Sequence, residues 1–273
     1  MNTELVEQVL QRMGFPRRPS IDFGGLSAVY GRWCRKVPFD NIQKRLFYSA
    51  TGKGPVPGHN STDFFEKWLT YGTGGTCWAN SHAMHDLWAA LGFDVVRCAG
   101  TMLSSADAVG PTHGTVIATL NNRQYLVDGS MLTEKPVPVE EGVRLEPGHP
   151  AERIRVEHRE SCWHVFWHSA HRPDGIWCRI ERIDVPLDDF NQYHERTRTF
   201  SRFNSSLYVR LNQPSSTATI VFGERVVIGP DGHLSRTTLS EEERTQSLVE
   251  DFGIAEELAA RLPADEVRAL ADL

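Results

Sequence analysis

The apolar pattern of this chain changes character near residue 93, and that change limits it to a fold with helices first and a sheet after. Before that point the spacing is helical. Leu5, Val6, Val9, Leu10 and Met13 recur on one side of a helix predicted over 3–13, with Gly14 as its stop. A second helix is predicted from about Phe23 to Arg35, and a third starts at Ser61 or Thr62 and runs through Phe64, Phe65, Trp68 and Leu69. Between them, residues 37–60 carry turn residues and end in Gly52-Lys53-Gly54-Pro55-Val56-Pro57-Gly58, read as a surface loop. It is not a phosphate-binding loop, because the closing Lys-Ser/Thr pair is missing. After Phe93, short alternating runs occupy 93–100, 114–120, 124–127, 162–169 and 175–185, which implies an antiparallel sheet or barrel. Pro173-Asp174-Gly175 is read as one of its hairpin turns. Past Pro186 come a helix over 188–198, strands over 206–212 and 218–227, and a helical tail opened by a capping box at Ser240–Glu243 and broken at 251–254.

At the junction lies Gly74-Gly75-Thr76-Cys77-Trp78-Ala79-Asn80. The glycines are expected to let the chain turn sharply and Thr76 to cap a helix. Asn80, Ala83, Met84, Leu87, Trp88 and Leu91 fall on one helical face, and Gly92 ends it. Cys77 is thus placed on a first helical turn, where orphan amides and the helix dipole favour a thiolate. A cysteine alone is more often a small buried hydrophobe. Two later residues shift that balance. His113 opens an apolar run to Leu120, Asp128 closes the run Gln124-Tyr125-Leu126-Val127, and Asn121-Asn122 between them is a turn. A hairpin so made brings His113 and Asp128 together, giving Cys77 as nucleophile, His113 as base and Asp128 as the group that orients it.

Composition narrows the setting. The chain has 273 residues, 40% hydrophobic and 23% charged, enough for a substantial core, and a net charge of −6 offers no basic field for nucleic acid. The first residues carry acids and no secretory pattern, no run is long enough to span a membrane, and the five scattered cysteines suit reduced thiols, so the expected address is cytoplasmic. His158, Cys162, His164, His168 and His171 cluster in sequence, but strand alternation sends them to opposite faces and short paired spacings are absent, so no metal is expected.

These motifs resemble those of the arylamine N-acetyltransferases. The family's Arg-Gly-Gly-x-Cys motif is matched by Thr73-Gly74-Gly75-Thr76-Cys77, its Tyr-Leu-Val-Asp by Tyr125-Leu126-Val127-Asp128, and its Val-Pro-Phe-Glu-Asn-Leu by Val37-Pro38-Phe39-Asp40-Asn41-Ile42. Thr73, Ala79 and Ser81 depart from the family residues, and the loop after Asp128 is one residue shorter. The resemblance implies an α+β fold: an N-terminal helical bundle over 1–92 with Cys77, a central antiparallel β-barrel over 93–187 with His113 and Asp128, and a C-terminal α/β lid over 188–273, around a cysteine-protease/transglutaminase-like core. It also implies ping-pong transfer of an acyl group from acetyl-CoA or another acyl-CoA, as co-substrate, to an arylamine or related amine, with Ser130, Thr197 and Ser201 on the CoA side. Partners would be a small-molecule amine and an acyl thioester, with an acyl-carrier protein as a candidate, and neither nucleic acid nor membrane. An amide synthase with a carrier-bound or intramolecular acyl group, or a Cys-His-Asp amide hydrolase, would use the same three residues.

Overall fold

A computed structural model of the protein describes residues 1–103, 109–145, 154–169 and 172–265. Helices come first: α1 (Thr3–Met13), α2 (Phe23–Lys36), α3 (Ile42–Ala50), α4 (Ser61–Tyr71) and α5 (Cys77–Leu91), with the two-residue strand β1 (Phe39–Asp40) between α2 and α3. Then follow β2 (Asp94–Met102), β3 (His113–Leu120), β4 (Arg123–Val127), β5 (Val137–Pro138), β6 (Arg144–Leu145), β7 (Ile154–Arg159), β8 (Cys162–Ser169) and β9 (Arg172–Ile183). The chain closes with α6 (Leu187–Phe200), β10 (Tyr208–Asn212), β11 (Thr217–Val221), β12 (Glu224–Ile228), β13 (Leu234–Thr238), α7 (Glu241–Glu250) and α8 (Glu256–Ala259).

Local chemistry explains most of the helix ends. Asn2, Asp22 and Asn60 cap α1, α2 and α4 through their side chains, and Gly14, Gly72 and Gly92 stop α1, α4 and α5 in the left-handed conformation. At α7 the capping box of Ser240 and Glu243 is complete. Three sequence readings need correction. Residues 42–50, read as loop, are helical, because Ile42 and Leu46 pack one turn apart against the C-terminal core. The run 218–227 is two strands, since Phe222 and Gly223 take positive φ and reverse the chain. Pro173-Asp174-Gly175 lies within β9 and not at its turn: Ser169 already pairs with Arg172.

Strands β2 to β9 form one antiparallel sheet in the order β5-β4-β3-β2-β9-β8-β7-β6, and the other five form a second in the order β1-β10-β11-β12-β13. The first curls into a nearly closed barrel. Ile117 and Leu126 near one edge and Ile154 and Val156 near the other meet Cys98, Val165, Trp167 and Ile180 in a single core, which a flat sheet could not bring about. The bundle core, with Trp33, Trp68 and Trp88, runs on into Val116 and Val127 of the barrel wall. Helix α5 lies between these parts and against α6, so residues 77–84 are buried all round and not on the one face their spacing suggested.

Asp86 of α5 joins the layers. Its carboxylate accepts from Ser61 Oγ of α4 at 2.6 Å, from His85 Nδ1 at 2.9 Å and from Arg97 of β2 at 2.5 Å. Burial pushes its pKa up, but hydrogen bonds from His82, His85 and Ser61 outweigh that and hold it well below the usual carboxylate range. A folded-state pKa below the unfolded one of about 4 makes this contribution complete above pH 4 and lost as pH falls. Asp86→Asn should therefore cost about 1–2 kcal/mol at neutral pH, reduced from a fully buried value because the side chain is 23% exposed. Urea midpoints of the two proteins should converge below pH 4; a gap that stays constant down to pH 3 would contradict the account.

Candidate active site

Cys77 opens α5 beneath the loop Thr73–Thr76, and the structure shows why that loop carries two glycines. Neither adopts a positive φ, so the sharp turn expected of them is not the reason. Close approach is. A Cβ on Gly74 would stand 1.9 Å from the Pro38 carbonyl oxygen, and one on Gly75 would stand 2.7 Å from Ala79 Cβ. The loop is held from both sides: Asp40 N–H donates to Gly75 O at 3.0 Å, and Gly74 N–H donates to Asp40 Oδ2 at 2.5 Å. Burial pushes the Asp40 pKa up to about 7 against the hydrogen bonds its carboxylate accepts from the Gly74 and Ile42 amides. Thr76 takes the N-cap position, but its side chain makes no capping hydrogen bond, which leaves the first-turn amides of α5 without a side-chain acceptor.

The hairpin reading holds for the other two residues. Asn121 and Asn122 turn with φ of 51° and 63°, Val116 pairs with Val127, and His113 and Asp128 meet at the open end. His113 Nε2–H donates to Asp128 Oδ2 at 2.7 Å, both side chains being buried. The Cys77 thiol lies close enough to act on this ring, and its Sγ stands 4.0 Å from Thr112 O, the carbonyl just ahead of His113. With Nε2 taken by Asp128, Nδ1 is the nitrogen left for the sulfur. Burial lowers the imidazole pKa, yet the Asp128 charge, its hydrogen bond and the thiol together raise it well above its ordinary value. Asp128 stays low, at about 2: burial opposes ionisation, and the charge and hydrogen bond of His113, followed by bonds from Ser130, overcome it. This arrangement can move a proton from sulfur to imidazole within a low-dielectric site.

Around these three residues, several contacts fix geometry. Ser81 Oγ donates to Gly114 O at 2.7 Å, locking α5 to β3 beside His113. Trp78 is fully buried against Phe190 and Tyr193, with ring centroids 4.9 and 5.7 Å away, so it packs as core. Thr73 accepts from Gln43 Nε2 at 3.1 Å, while Ala79 faces Gly58 and Gly75. Ser130 donates to Asp128 Oδ1 from its amide at 2.8 Å and its hydroxyl at 2.5 Å, so its hydroxyl is directed at the acid. Thr197, buried on α6, accepts from Lys44 Nζ at 2.9 Å, and Ser201 accepts from Phe203 N–H at 3.3 Å where α6 ends.

Tyr30, Arg210 and Lys44 were not expected here. Tyr30 OH donates to Asp128 O at 2.9 Å and accepts from Asp128 N–H at 3.2 Å across 98 residues of sequence. Arg210 of β10, buried, donates to Ser130 O at 2.9 Å, tying the second sheet to the turn that follows the acid. Lys44 lies in the segment read as loop. Their only sequence signal is being polar within or beside apolar runs, which is a property of many surface residues.

A family model described as N-acetyltransferase matches residues 22–261. The arylamine N-acetyltransferase of Mycolicibacterium smegmatis is 27% identical over 154 residues, 53% of this chain and 54% of that protein. Proansamycin X synthase of Amycolatopsis mediterranei is also 27% identical, over 130 residues, 47% of this chain and 48% of that protein. The chain thus spans about half the length of the curated relatives it matches. The solved structure of Mycobacterium marinum arylamine N-acetyltransferase in complex with CoA superposes with a TM-score of 0.80 at 19% identity, covering 97% of this chain and 100% of that one, a likeness of fold.

Proposed function

The chain belongs to the arylamine N-acetyltransferase family, and from that membership we propose that it moves an acyl group, acetyl in the simplest case, from a CoA thioester to an arylamine or related amine through an acyl-Cys77 intermediate. The observation that carries this reading is the buried 2.7 Å bond from His113 to Asp128, with the Cys77 sulfur 4.0 Å from the carbonyl oxygen of Thr112, the residue before His113. The thiol proton passes to His113, and the thiolate attacks the thioester carbonyl. A new S–C bond forms, the old one breaks, and the departing CoA thiolate takes the proton from the imidazolium. In the second half the amine nitrogen attacks the acyl carbon, its proton goes to His113, and the Cys77–acyl bond breaks to release the amide. Asp128 keeps the imidazole aimed throughout. Arylamines suit such a site, being unprotonated near neutral pH. On the donor side the reading keeps Thr197 and Ser201, while Ser130 enters through its bond to Asp128.

Equal identity to a synthase favours one second reading, an amide synthase with a carrier-bound or intramolecular acyl group. Intact-protein mass spectrometry separates the two. Incubated with acetyl-CoA and longer acyl-CoAs and no amine, the protein should gain one acyl mass that an arylamine then discharges, and Cys77→Ala should gain none. Loading from a carrier-bound thioester but from no acyl-CoA would replace the first reading with the second.

A further inference from the structure

Strand β10 grips the turn that carries the acid. Val209 and Leu211 belong to the C-terminal core, and Tyr208, Arg210 and Asn212 alternate onto the other face of the sheet, where Tyr208 shares an apolar cluster with Cys77. Arg210 Nη1–H donates to Ser130 O at 2.9 Å, and Asn212 Nδ2–H donates to Leu132 O at 2.7 Å. The turn they hold is strained. Leu132 sits at a φ of 56°, a left-handed conformation that a leucine keeps only where its surroundings impose it. A neutral amide such as that of Asn212 suffices to hold a carbonyl there, so the arginine needs another account.

Arg210 is 1% exposed, and among the described residues its Nε and Nη2 have no hydrogen-bond partner. Glu134, the other carboxylate of the segment, is bound to Arg35 and Asn212. A buried guanidinium matched only by a neutral oxygen is costly. What that oxygen belongs to gives the cost a use. Ser130 O and Met131 N–H are the two ends of one peptide group, and the N–H donates to Asp128 Oδ1 at 3.2 Å. The Ser130 amide and hydroxyl donate to the same oxygen at 2.8 and 2.5 Å, and Oδ2 accepts from His113 at 2.7 Å. Hydrogen bonds thus run without a break from the guanidinium, through one peptide unit, to the carboxylate and the imidazole. A cation on the carbonyl oxygen polarises that unit and strengthens its N–H as a donor, which a neutral group does much less.

We propose that Arg210 is a positioning residue of the thiol site: through the peptide group between Ser130 and Met131 it fixes and polarises the donors on Asp128 Oδ1, and so sets the carboxylate that aims His113. The inference rests on Asp128 being the acid of the proposed reaction. It makes the second sheet, which contributes none of Cys77, His113 and Asp128, a working part of the site.

The test reads the bond between His113 and Asp128 directly. In protein carrying 15N-labelled histidine, the His113 Nε2–H resonance is identified by its loss in His113→Gln, and its exchange with solvent is measured in wild type, Arg210→Met, Arg210→Gln and Arg210→Lys. Arg210→Gln keeps a neutral donor, and Arg210→Lys keeps the cation. Exchange should be about tenfold faster in Arg210→Met and Arg210→Gln, and within about threefold of wild type in Arg210→Lys. Acyl loading at saturating acyl-CoA, followed by intact mass, should slow about ten- to a hundredfold in the first two, with the half-saturating donor concentration unchanged. Urea midpoints should stay close to wild type, since relief of the buried charge offsets the carbonyl left bare. Should Arg210→Met not fold, the comparison of Arg210→Gln with Arg210→Lys decides. Unchanged exchange in Arg210→Met overturns the proposal. So does an Arg210→Gln that matches wild type, which would mean the bond matters and not the charge, and so does loading that falls only in step with the folded fraction. If wild type gains an acyl mass from no donor, the acyl-transfer reading falls, while the exchange rates still decide the role of Arg210.

Discussion

Asp128→Asn is expected to lower kcat/KM by about three to four orders of magnitude in a protein that still folds, the size of effect known when an amide replaces the acid of such a triad. The reason lies in how the two carboxylate oxygens are used. Oδ1 accepts from Ser130 N–H, Ser130 Oγ and Met131 N–H, and Oδ2 accepts from His113. An asparagine has one oxygen, and the turn with its three donors will claim it. The NH2 group then faces His113 Nε2, which must become an acceptor, and the ring proton moves to Nδ1, the atom that should receive the thiol proton. Loss of the Asp128 charge also removes what raises the imidazole pKa, so His113 should give up its proton at a lower pH than in wild type. Activity within tenfold of wild type, measured as amine-dependent CoA release, would show that the acid does not set the tautomer.

Gly74→Ala should be the most damaging change of a single methyl group. The added Cβ would meet the Pro38 carbonyl oxygen at 1.9 Å and its carbon at 3.0 Å, and these are backbone atoms next to β1, which the Gly75 bridge pins. No side-chain rotation relieves the clash, so the loop must move away from β1 and carry Cys77 with it. A loss of about 1–3 kcal/mol is expected, with at least a hundredfold loss of activity from a displacement on the order of 1 Å. Gly54→Ala is the control. Its Cβ meets nothing within 4 Å, and its φ of +91° costs only about 1 kcal/mol. Urea denaturation and acyl loading measured on both proteins decide the matter: a Gly74→Ala protein that loads acyl groups as fast as Gly54→Ala would mean the close approach is not needed.

The hairpin that carries His113 and Asp128 was legible because two asparagines fix a tight turn, and the turn then fixes which residues face each other. Cys77 at the head of α5 was legible from Gly92 back to Thr76. By contrast, β5 and β6 are two residues each, too short for alternation to register. Helix α3 was obscured by Lys44 and Arg45, charged residues that are both buried, against the usual rule for such side chains. Arg45 is matched by Asp265, some two hundred residues away in sequence, with which it forms an ion pair of 2.6 Å. The glycine pair was noticed for the wrong cause, since close approach depends on Pro38 and Ala79 and only the folded chain brings those near. What escaped the sequence is in each case a contact between distant segments.

The smallest strand has a consequence for when the site exists. Asn41, next to β1, receives Tyr208 N–H across 167 residues of sequence, and β1 both pairs with β10 and seats the loop ahead of Cys77. Contacts of such separation form late in folding, after local helices and hairpins, because a long loop must close first. At a ribosomal pace of about 5–20 residues per second, Cys77 precedes the strand that completes its seat by roughly seven to twenty-seven seconds. A nascent or truncated chain ending before β10 would lack that brace on the loop ahead of Cys77, so the seat of the cysteine is a property of the finished chain.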